Sequence, residues 1–136
     1  MKLIVCVDDR GGMMFGGRRQ SMDRVLREKM LAITAGHTLW MSEYSAKQFA
    51  TGGDFQVCEC PAEQAGADDF CFVEDTPFSL DGCTQVWVFR WNRHYPADVF
   101  FDVDLHNEGF ALISTEEFVG SSHPNIMLNG YQRGNV

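Results

Sequence analysis

Runs of apolar residues along the chain have the length and spacing that predict β-strands. The first, KLIVCV (2–7), is continuous and rich in β-branched residues, which is typical of a strand buried on both faces of a parallel sheet. The other predicted strands are HTLWM (37–41), FQVCEC (55–60), FCFV (70–73), QVWVFRW (85–91), FALIS (110–114) and IMLNGYQR (126–133). We expect the last two strands to pair in antiparallel orientation.

A helical period replaces the strand pattern after Ser21. Ser21 is placed to cap a helix that runs to about Thr34, with Asp23 in its first turn and on the face of the apolar residues that follow. SAKQFA (45–50) predicts a second, shorter helix with Ser45 as its cap. Residues 61–66 predict only a loose connection.

The order of these elements predicts the architecture. Strands alternate with helices early in the chain and follow one another without helices later. This order favours an α/β fold with three layers, α/β/α, in which a mostly parallel central sheet carries a C-terminal antiparallel strand pair. A length of 136 residues suits one hydrophobic core, and no repeat or linker divides the sequence, so we expect a single domain over residues 1–136.

The charge distribution weighs against nucleic acid as a partner. The formal net charge is −8, and residues 43–82 carry nine acidic side chains and one basic side chain. Phosphate backbones are bound by clustered lysine and arginine side chains. The one basic run, 18–29, is interpreted as the solvated face of a helix.

The cysteine and histidine residues and the hydropathy of the chain narrow the kinds of protein to which it can belong. The cysteines number five, an odd count without secretory context, so free thiols are expected. The four histidines lack metal-ligand spacing, so no metal site is predicted. No apolar run approaches the roughly 20 residues of a membrane span, and the apolar start is too short for a signal peptide. We therefore expect a cytoplasmic protein without a membrane partner.

Two stretches resemble the dihydrofolate reductase family. LIVCVDDRGGMMFGGRRQSMDRVLREKMLAITAGHTLWMSEYSAKQF (3–49) is similar to its first strand, Gly-rich active-site loop, helix with the catalytic carboxylate, and strand–M-G-R-x-T–helix unit. VWVFRWNRHYPADVFFDVDLHNEGFALISTEEF (86–118) is similar to its late strand, its A-D-x-x-F-P-x-x-D stretch and its W-x-x-V/I-S strand followed by E-E-F. The resemblance implies a dihydrofolate reductase-like fold with a sheet of eight strands or slightly fewer.

The resemblance also implies an active site around the Gly-rich segment. That segment, DDRGGMMFGG, would be a mobile loop that closes over the substrate and the nicotinamide. Asp23 would be the acid that relays a proton, and the alternative is a first-turn acid that interacts with the helix dipole. Six residues are ligand-binding candidates near the implied cleft: Phe15, Arg18, Arg19, Trp40, Ser45 and Phe89.

The cofactor motifs of the family are not kept. Glu43 stands where the family has the arginine that grips the NADPH phosphates. Glu74 and Asp75 replace a Gly-Gly pair whose backbone amides approach the pyrophosphate. No arginine lies between Glu28 and Phe89, so the bidentate hold on the folate carboxylate is also missing. NADPH is therefore disfavoured, and the cofactor is unknown.

Three functions remain open, and the sequence does not decide whether the protein is an enzyme. The first is a diverged domain of this fold that binds a small molecule without NADPH-dependent folate reduction. The second is an NAD(P)H-dependent reductase of a pterin-like or other small substrate that uses Asp23. The third is a protein-interaction module, including a homodimer that covers an exposed edge strand. No Ser–His–Asp, Cys–His or paired-carboxylate arrangement stands out in the sequence.

Overall fold

The computed structural model describes residues 1–49 and 52–134 of the chain. Within these residues the elements follow in the order β1 (Lys2–Val7), β2 (Gly12–Phe15), β3 (Arg18–Arg19), α1 (Arg24–Ile33), β4 (Leu39–Met41), α2 (Glu43–Ala46), β5 (Gln56–Val57), α3 (Pro61–Gln64), β6 (Phe70–Phe72), β7 (Gln85–Arg90), β8 (Val99–Phe100), β9 (Phe110–Phe118) and β10 (Ile126–Arg133). Strands β1, β7 and β10 agree closely with the predicted runs. Strands β2, β3 and β8 form where no strand is predicted.

The main sheet contains seven strands among the described residues, in the order β5-β4-β6-β1-β7-β10-β9. Neighbours from β5 to β7 are parallel, while β10 is antiparallel to both β7 and β9. The predicted α/β fold, with a mostly parallel sheet and a C-terminal antiparallel pair, is therefore confirmed. Strand β1 lies in the middle of the sheet, which explains its unbroken apolar sequence.

Side chains of β1 alternate between two cores, one on each face of the sheet. Ile4 belongs to the core beneath α1, where Leu26 and Met30 are buried. Leu3 and Val5 belong to the opposite core, which is covered by α3, by a small sheet in the order β3-β2-β8 and by neighbouring loops. None of the helices in the described part of the chain has the length and apolar character that a membrane crossing requires.

Helix α1 begins directly after Asp23, which is its N-cap. The Asp23 carboxylate accepts hydrogen bonds from the backbone amides of Val25 and Leu26, and these are the amides that an N-cap satisfies. The predicted cap at Ser21 is therefore wrong, and so is the placement of Asp23 inside the first turn.

The other two helices also differ from the predictions. Helix α2 is capped by Ser42, whose hydroxyl accepts from the Ser45 amide, so the predicted cap at Ser45 is wrong. The last residue of the predicted helix 45–50 lies outside the described residues. Helix α3 forms where a loose connection is expected, because Pro61 at its start presets a helical backbone angle.

The Gly-rich segment forms a β-hairpin. Strands β2 and β3 pair with Phe15 opposite Arg18, and Gly16 and Gly17 make the two-residue turn between them. Both glycines have positive φ, 59° and 76°, which this tight hairpin turn requires. The Gly16 amide donates to Asp98 Oδ2 at 3.0 Å, and β8 pairs with the other side of β2. The segment for which the resemblance implies a mobile loop is thus a hydrogen-bonded hairpin.

Candidate functional site

The hairpin lies over the carboxyl ends of the central parallel strands, where open α/β sheets usually bind ligands. Beneath it is a cavity of ≈ 10 Å³, which is room for about one water molecule. The cavity is lined by Cys6, Met13, Arg19, Gln20, Ser21, Val73, Glu74 and Trp91. Burial, together with the charge of Glu74, holds the pKa of the Cys6 thiol well above its ordinary value, so this thiol is a poor nucleophile.

Arg19 and Glu74 form a bidentate ion pair at this cavity. Arg19 Nε donates to Glu74 Oε2 at 3.0 Å, and Nη2 donates to Oε1 at 3.1 Å. The guanidinium also lies over the Tyr44 ring, 4.2 Å from its centroid, and donates to the Tyr44 carbonyl oxygen. Burial acts to lower the pKa of Arg19, but the hydrogen bond and the charge of Glu74 outweigh burial and raise it. The hairpin is therefore tied to the segment that follows β6.

Other side chains bind the same acidic segment. Glu74 Oε1 accepts from Ser45 Oγ at 2.8 Å and from Gln48 Nε2 at 3.1 Å. Asp75 accepts from Ser42 Oγ at 2.8 Å and is otherwise exposed. The two carboxylates after β6 are thus held by α2 and its flanking residues, and Glu74 is also held by the hairpin.

A second polar cluster surrounds Asp23, whose side chain has no exposed surface. Besides capping α1, Asp23 Oδ1 accepts from the backbone amide of Ser121 at 3.0 Å. Asp23 Oδ2 accepts from the backbone amide of Ser122 at 2.9 Å and lies 3.0 Å from His123 Nδ1. Burial acts to raise the pKa of Asp23, but these hydrogen bonds outweigh it and hold the pKa far below its ordinary value. The carboxylate therefore stays ionised and fully engaged.

His123 connects Asp23 to two hydroxyl groups. Its Nε2 lies 3.0 Å from Ser21 Oγ and 3.1 Å from Tyr95 Oη. The residue is 5% exposed, and its ring packs against Trp91 with centroids 4.7 Å apart. Ser21 and Trp91 both line the small cavity, so the Asp23 cluster meets the Arg19–Glu74 network there.

A larger opening, which we name the apolar groove, lies between the hairpin, β8 and the segment after β6. Its volume is ≈ 450 Å³, and small-molecule sites measure about 300–1,000 Å³. Its apolar wall is formed by Met13, Met14, Val73, Phe78, Val99 and Phe100. Thr76 borders the groove, and its Oγ1 is buried without a hydrogen-bond partner among the described residues. Another opening, of ≈ 470 Å³ beside residues 101–106, touches none of the predicted site residues.

Four of the predicted site residues lie around the hairpin and its contacts. Arg19 and Ser45 come together because both bind Glu74. Phe15 and Arg18 flank the turn of the hairpin, and both side chains are exposed. The structure therefore brings one predicted arginine and one predicted hydroxyl together at a single carboxylate.

The remaining predicted residues lie elsewhere. Trp40 is on β4, and its Nε1 donates to Asp69 Oδ2 at 3.0 Å. Phe89 has no exposed surface and packs in the core beneath α1, which argues against contact with a ligand. Asp23 lies in the His123 cluster and outside the apolar groove.

The sequence gives no sign of the Ser21–His123 contact. The two residues are 102 positions apart, and neither lies in a motif with a recognisable spacing. Within residues 1–49 and 52–134, no three or more His, Cys, Asp or Glu side chains are grouped so that they could hold a metal ion.

Solved structures supply the comparison that decides the fold. A dihydrofolate reductase from Enterococcus faecalis, complexed with NADP(H) and RAB-propyl, matches with a TM-score of 0.65 and 12% identity over 98% of this chain and 96% of that chain. The chain has a dihydrofolate reductase-like fold. At this identity the likeness establishes the fold and not the activity. No protein-family model and no curated protein matches the chain.

The dihydrofolate reductase-like fold agrees with the two stretches on which the resemblance rests. Residues 3–49 span β1 to α2, and residues 86–118 span β7 to β9. The hairpin, the N-terminus of α1 and the segment after β6 therefore surround the carboxyl ends of the strands, as the resemblance implies. The side chains at these places are those of the Arg19–Glu74 network and the Asp23 cluster.

Proposed function

We propose that the chain forms a single small-molecule-binding domain of the dihydrofolate reductase-like fold that does not reduce folate with NADPH. The observation that carries this proposal is the state of Glu74, whose carboxylate is bound by Arg19, Ser45 and Gln48. By the resemblance, Glu74 stands where the family brings backbone amides to the cofactor pyrophosphate.

A pyrophosphate at this position would meet a carboxylate instead of amide donors. To admit it, the Arg19–Glu74 pair would have to separate, although these side chains are only 16% and 8% exposed. Breaking this pair, which is not fully buried, costs about 2–3 kcal/mol and lowers affinity by roughly 30- to 150-fold. This cost supports a site that does not hold a dinucleotide.

The geometry of Asp23 weighs against the reductase alternative. A proton relay must gain and lose a proton near neutral pH. Despite burial, hydrogen bonds hold the pKa of Asp23 far below its ordinary value. The carboxylate accepts from the amides of Ser121 and Ser122 and faces His123. It also accepts from the amides of Val25 and Leu26, so no lone pair is left for a substrate. These contacts favour a structural role for Asp23, as the N-cap of α1, over the relay of a proton.

We place the ligand in the apolar groove. The groove is large enough for a small ring system, and its wall includes Val99 and Phe100, each 46% exposed. Asp75 at the edge of the groove favours a positive charge or a hydrogen-bond donor in the ligand. The ligand we infer is therefore an aromatic or alicyclic amine without a phosphate group.

Ligand-detected NMR and thermal-shift assays with a matched pair of probes test this proposal. Tryptamine and indole-3-propionate share an indole ring but carry opposite charges, so the amine should bind more tightly beside Asp75. Phe100→Ser in the groove should weaken tryptamine binding, whereas Ile113→Ser on β9, at a side chain of similar exposure (52% against 46%), should not. Equal effects of the two variants, or tighter binding of the carboxylate probe, would contradict the proposal.

A second candidate function, a homodimer formed through β9, is favoured by the edge position and the exposure of that strand. Strand β9 is nine residues long, lies at the edge of the main sheet, and is exposed from residue 111 to 117. Leu112 and Ile113 are 49% and 52% exposed. Such an edge presents unpaired backbone groups to a second strand. Antiparallel pairing about Ser114 would set Leu112 opposite Glu116 of the second copy, so that no two carboxylates face each other there.

Sedimentation equilibrium of the full chain tests the homodimer. A dimer that Ile113→Lys converts to a monomer, while Val119→Lys just beyond β9 does not, would support pairing through β9. A monomer at all concentrations would refute this second candidate and leave the ligand-binding proposal untouched.

A further inference from the structure

We propose that Ser21 is a nucleophile for activated acyl compounds and that His123 is its general base. The proposal rests on the alignment of three side chains. Ser21 Oγ lies 3.0 Å from His123 Nε2, and His123 Nδ1 lies 3.0 Å from Asp23 Oδ2. A hydroxyl, an imidazole and a buried carboxylate that are joined through the two opposite ring nitrogens form the arrangement that activates serine in hydrolases of unrelated folds. This inference is independent of the ligand in the apolar groove.

The contacts of Asp23 decide which nitrogen of His123 carries the proton. The ionised carboxylate accepts only, so Nδ1 donates to it. The Ser122 hydroxyl, 3.1 Å from Nδ1, then donates to Asp23 Oδ2 or to the Met22 carbonyl oxygen. In the neutral imidazole, Nε2 is then the acceptor, and it faces Ser21 Oγ and Tyr95 Oη. This is the tautomer that a general base for Ser21 requires.

The imidazole is also held in a fixed orientation. Asp23 is anchored by the first amides of α1 and by the amides of Ser121 and Ser122, so its Oδ2 cannot turn away from Nδ1 without losing them. Trp91 packs against the ring, with the two ring planes tilted by 32°. A base that is positioned before the reaction loses no free energy to reorganisation during it.

An ester can reach Ser21 only from its solvent-exposed side, because the cavity beneath Ser21 is too small for an acyl group. Ser21 is partly exposed and lines the ≈ 10 Å³ cavity, which has room for about one water molecule, the reagent that releases an acyl group from serine. Arg19 lines the same cavity. Among the described residues, Arg19 Nη1 has one hydrogen-bond contact, the Met22 sulfur at 3.8 Å, so it can donate to a carbonyl oxygen that becomes negative.

The reaction balances with an activated ester and water as the reactants. Ser21 Oγ attacks the carbonyl carbon while its proton moves to His123 Nε2. The bond from that carbon to the alcohol oxygen then breaks, and the Nε2 proton moves to the leaving alcohol, which leaves an ester on Ser21. Water attacks this ester while one of its protons moves to Nε2. The bond from the carbonyl carbon to Ser21 Oγ then breaks, the Nε2 proton returns to Oγ, and a carboxylic acid is released. No step requires an oxidant or a reductant.

p-Nitrophenyl acetate is the probe that tests this inference, because its acyl group is small and its leaving group is coloured. The full chain is incubated with the ester, p-nitrophenolate release is followed, and the acetyl group is located by peptide mass spectrometry. We expect the acetyl group on Ser21. Ser21→Ala should lower the rate about a hundredfold or more, which is the usual scale of general-base activation. Ser79→Ala, at an exposed serine of another loop, is the matched control and should leave the rate unchanged.

Tyr95→Phe separates the two hydroxyls that face Nε2. This variant keeps the ring and should retain the Ser21 adduct, because Ser21 then holds Nε2 alone. An adduct on Tyr95, equal rates for Ser21→Ala and wild type, or acetylation confined to lysines would overturn the inference. Circular dichroism confirms that each variant is folded, and Ser21 is not the cap of α1, so its loss does not remove the helix start.

Discussion

Replacing Asp23 by asparagine separates the two roles of its carboxylate. Asparagine is as good an N-cap as aspartate, so Oδ1 continues to accept from the amides of Val25 and Leu26. The new NH₂ group takes the place of Oδ2, where it faces the Ser122 amide and His123 Nδ1. The Ser122 amide is always a donor, and His123 Nδ1 is a donor in the tautomer that Asp23 imposes. The substitution therefore sets donor against donor at the Ser122 amide and does the same at His123 unless the imidazole changes tautomer.

The magnitude follows from the two hydrogen bonds that Asp23→Asn removes. A hydrogen bond to a charged group contributes about 1.5–3 kcal/mol, so the free energy of unfolding at neutral pH should fall by about 3–6 kcal/mol. For a chain of this length, 1 kcal/mol corresponds to roughly 3–5 °C in Tm, so we expect a Tm about 10–30 °C lower.

The effect should depend on pH, because the hydrogen bonds of Asp23, in spite of its burial, lower its pKa in the folded state. A carboxyl group of this kind stabilises the fold fully above its unfolded pKa of about 3.9, and the stabilisation is lost as the pH falls towards the folded pKa. Asparagine has no such titration. The difference between wild type and Asp23→Asn should therefore be about 1 kcal/mol smaller at pH 3 than at pH 7.

Urea unfolding followed by circular dichroism at the two pH values measures these quantities. Asp68→Asn is the control, since its carboxylate is exposed and its removal should change stability by less than about 0.5 kcal/mol. A loss below about 1 kcal/mol for Asp23→Asn, or the same loss at both pH values, would refute the assignment of an ionised, hydrogen-bonded carboxylate.

Three further variants test separate parts of the structure. Glu74→Gln leaves Arg19 without its ionic partner. Urea titration should show that the free energy of unfolding falls by about 2–3 kcal/mol, which is less than for a fully buried pair. An unchanged midpoint would mean that the pair does not hold the hairpin. Gly17→Ala puts a β-carbon at φ 76° and should cost about 1 kcal/mol in the same assay, and a stabilised protein would contradict the hairpin turn. Gly120→Ala would press a β-carbon against Asp23 Oδ2. Calorimetry should therefore show a larger fall in Tm for this variant than for Gly17→Ala. An equal or smaller fall would count against the packing around Asp23.

Central strands of the sheet are predictable from sequence because their burial is a local property of the chain. β1 is an unbroken apolar run, and β10 has the predicted bounds 126–133. The hairpin is not predictable in this way, because the glycines that form its turn also suit an open loop. Whether they turn sharply depends on the partner strand β8, which is distant in sequence.

The start of α1 shows the same limit. Ser21 and Asp23 are both good N-caps, so local propensity does not choose between them. The choice is made by the amides of Ser121 and Ser122, which lie 98 and 99 positions away and bind Asp23. The contact of His123 with Ser21 likewise depends on the fold, because it joins two residues without any motif between them.

The acidic segment after β6 is a different case. The family resemblance alone marks Glu74 and Asp75 as carboxylates at a phosphate-binding position. The sequence does not show that Arg19, 55 positions earlier, neutralises Glu74. An excess of negative charge can be recognised from the sequence of one segment, whereas the arginine that neutralises it is known only from the tertiary structure.

We propose that Glu74, held by Arg19, closes the position at which the family resemblance would put a cofactor pyrophosphate. Isothermal titration calorimetry of the full chain with NADPH tests this claim most directly. We predict no saturable heat up to about 1 mM NADPH, an affinity weaker than about −4 kcal/mol. Saturable one-site binding with a Kd in the micromolar range would contradict it.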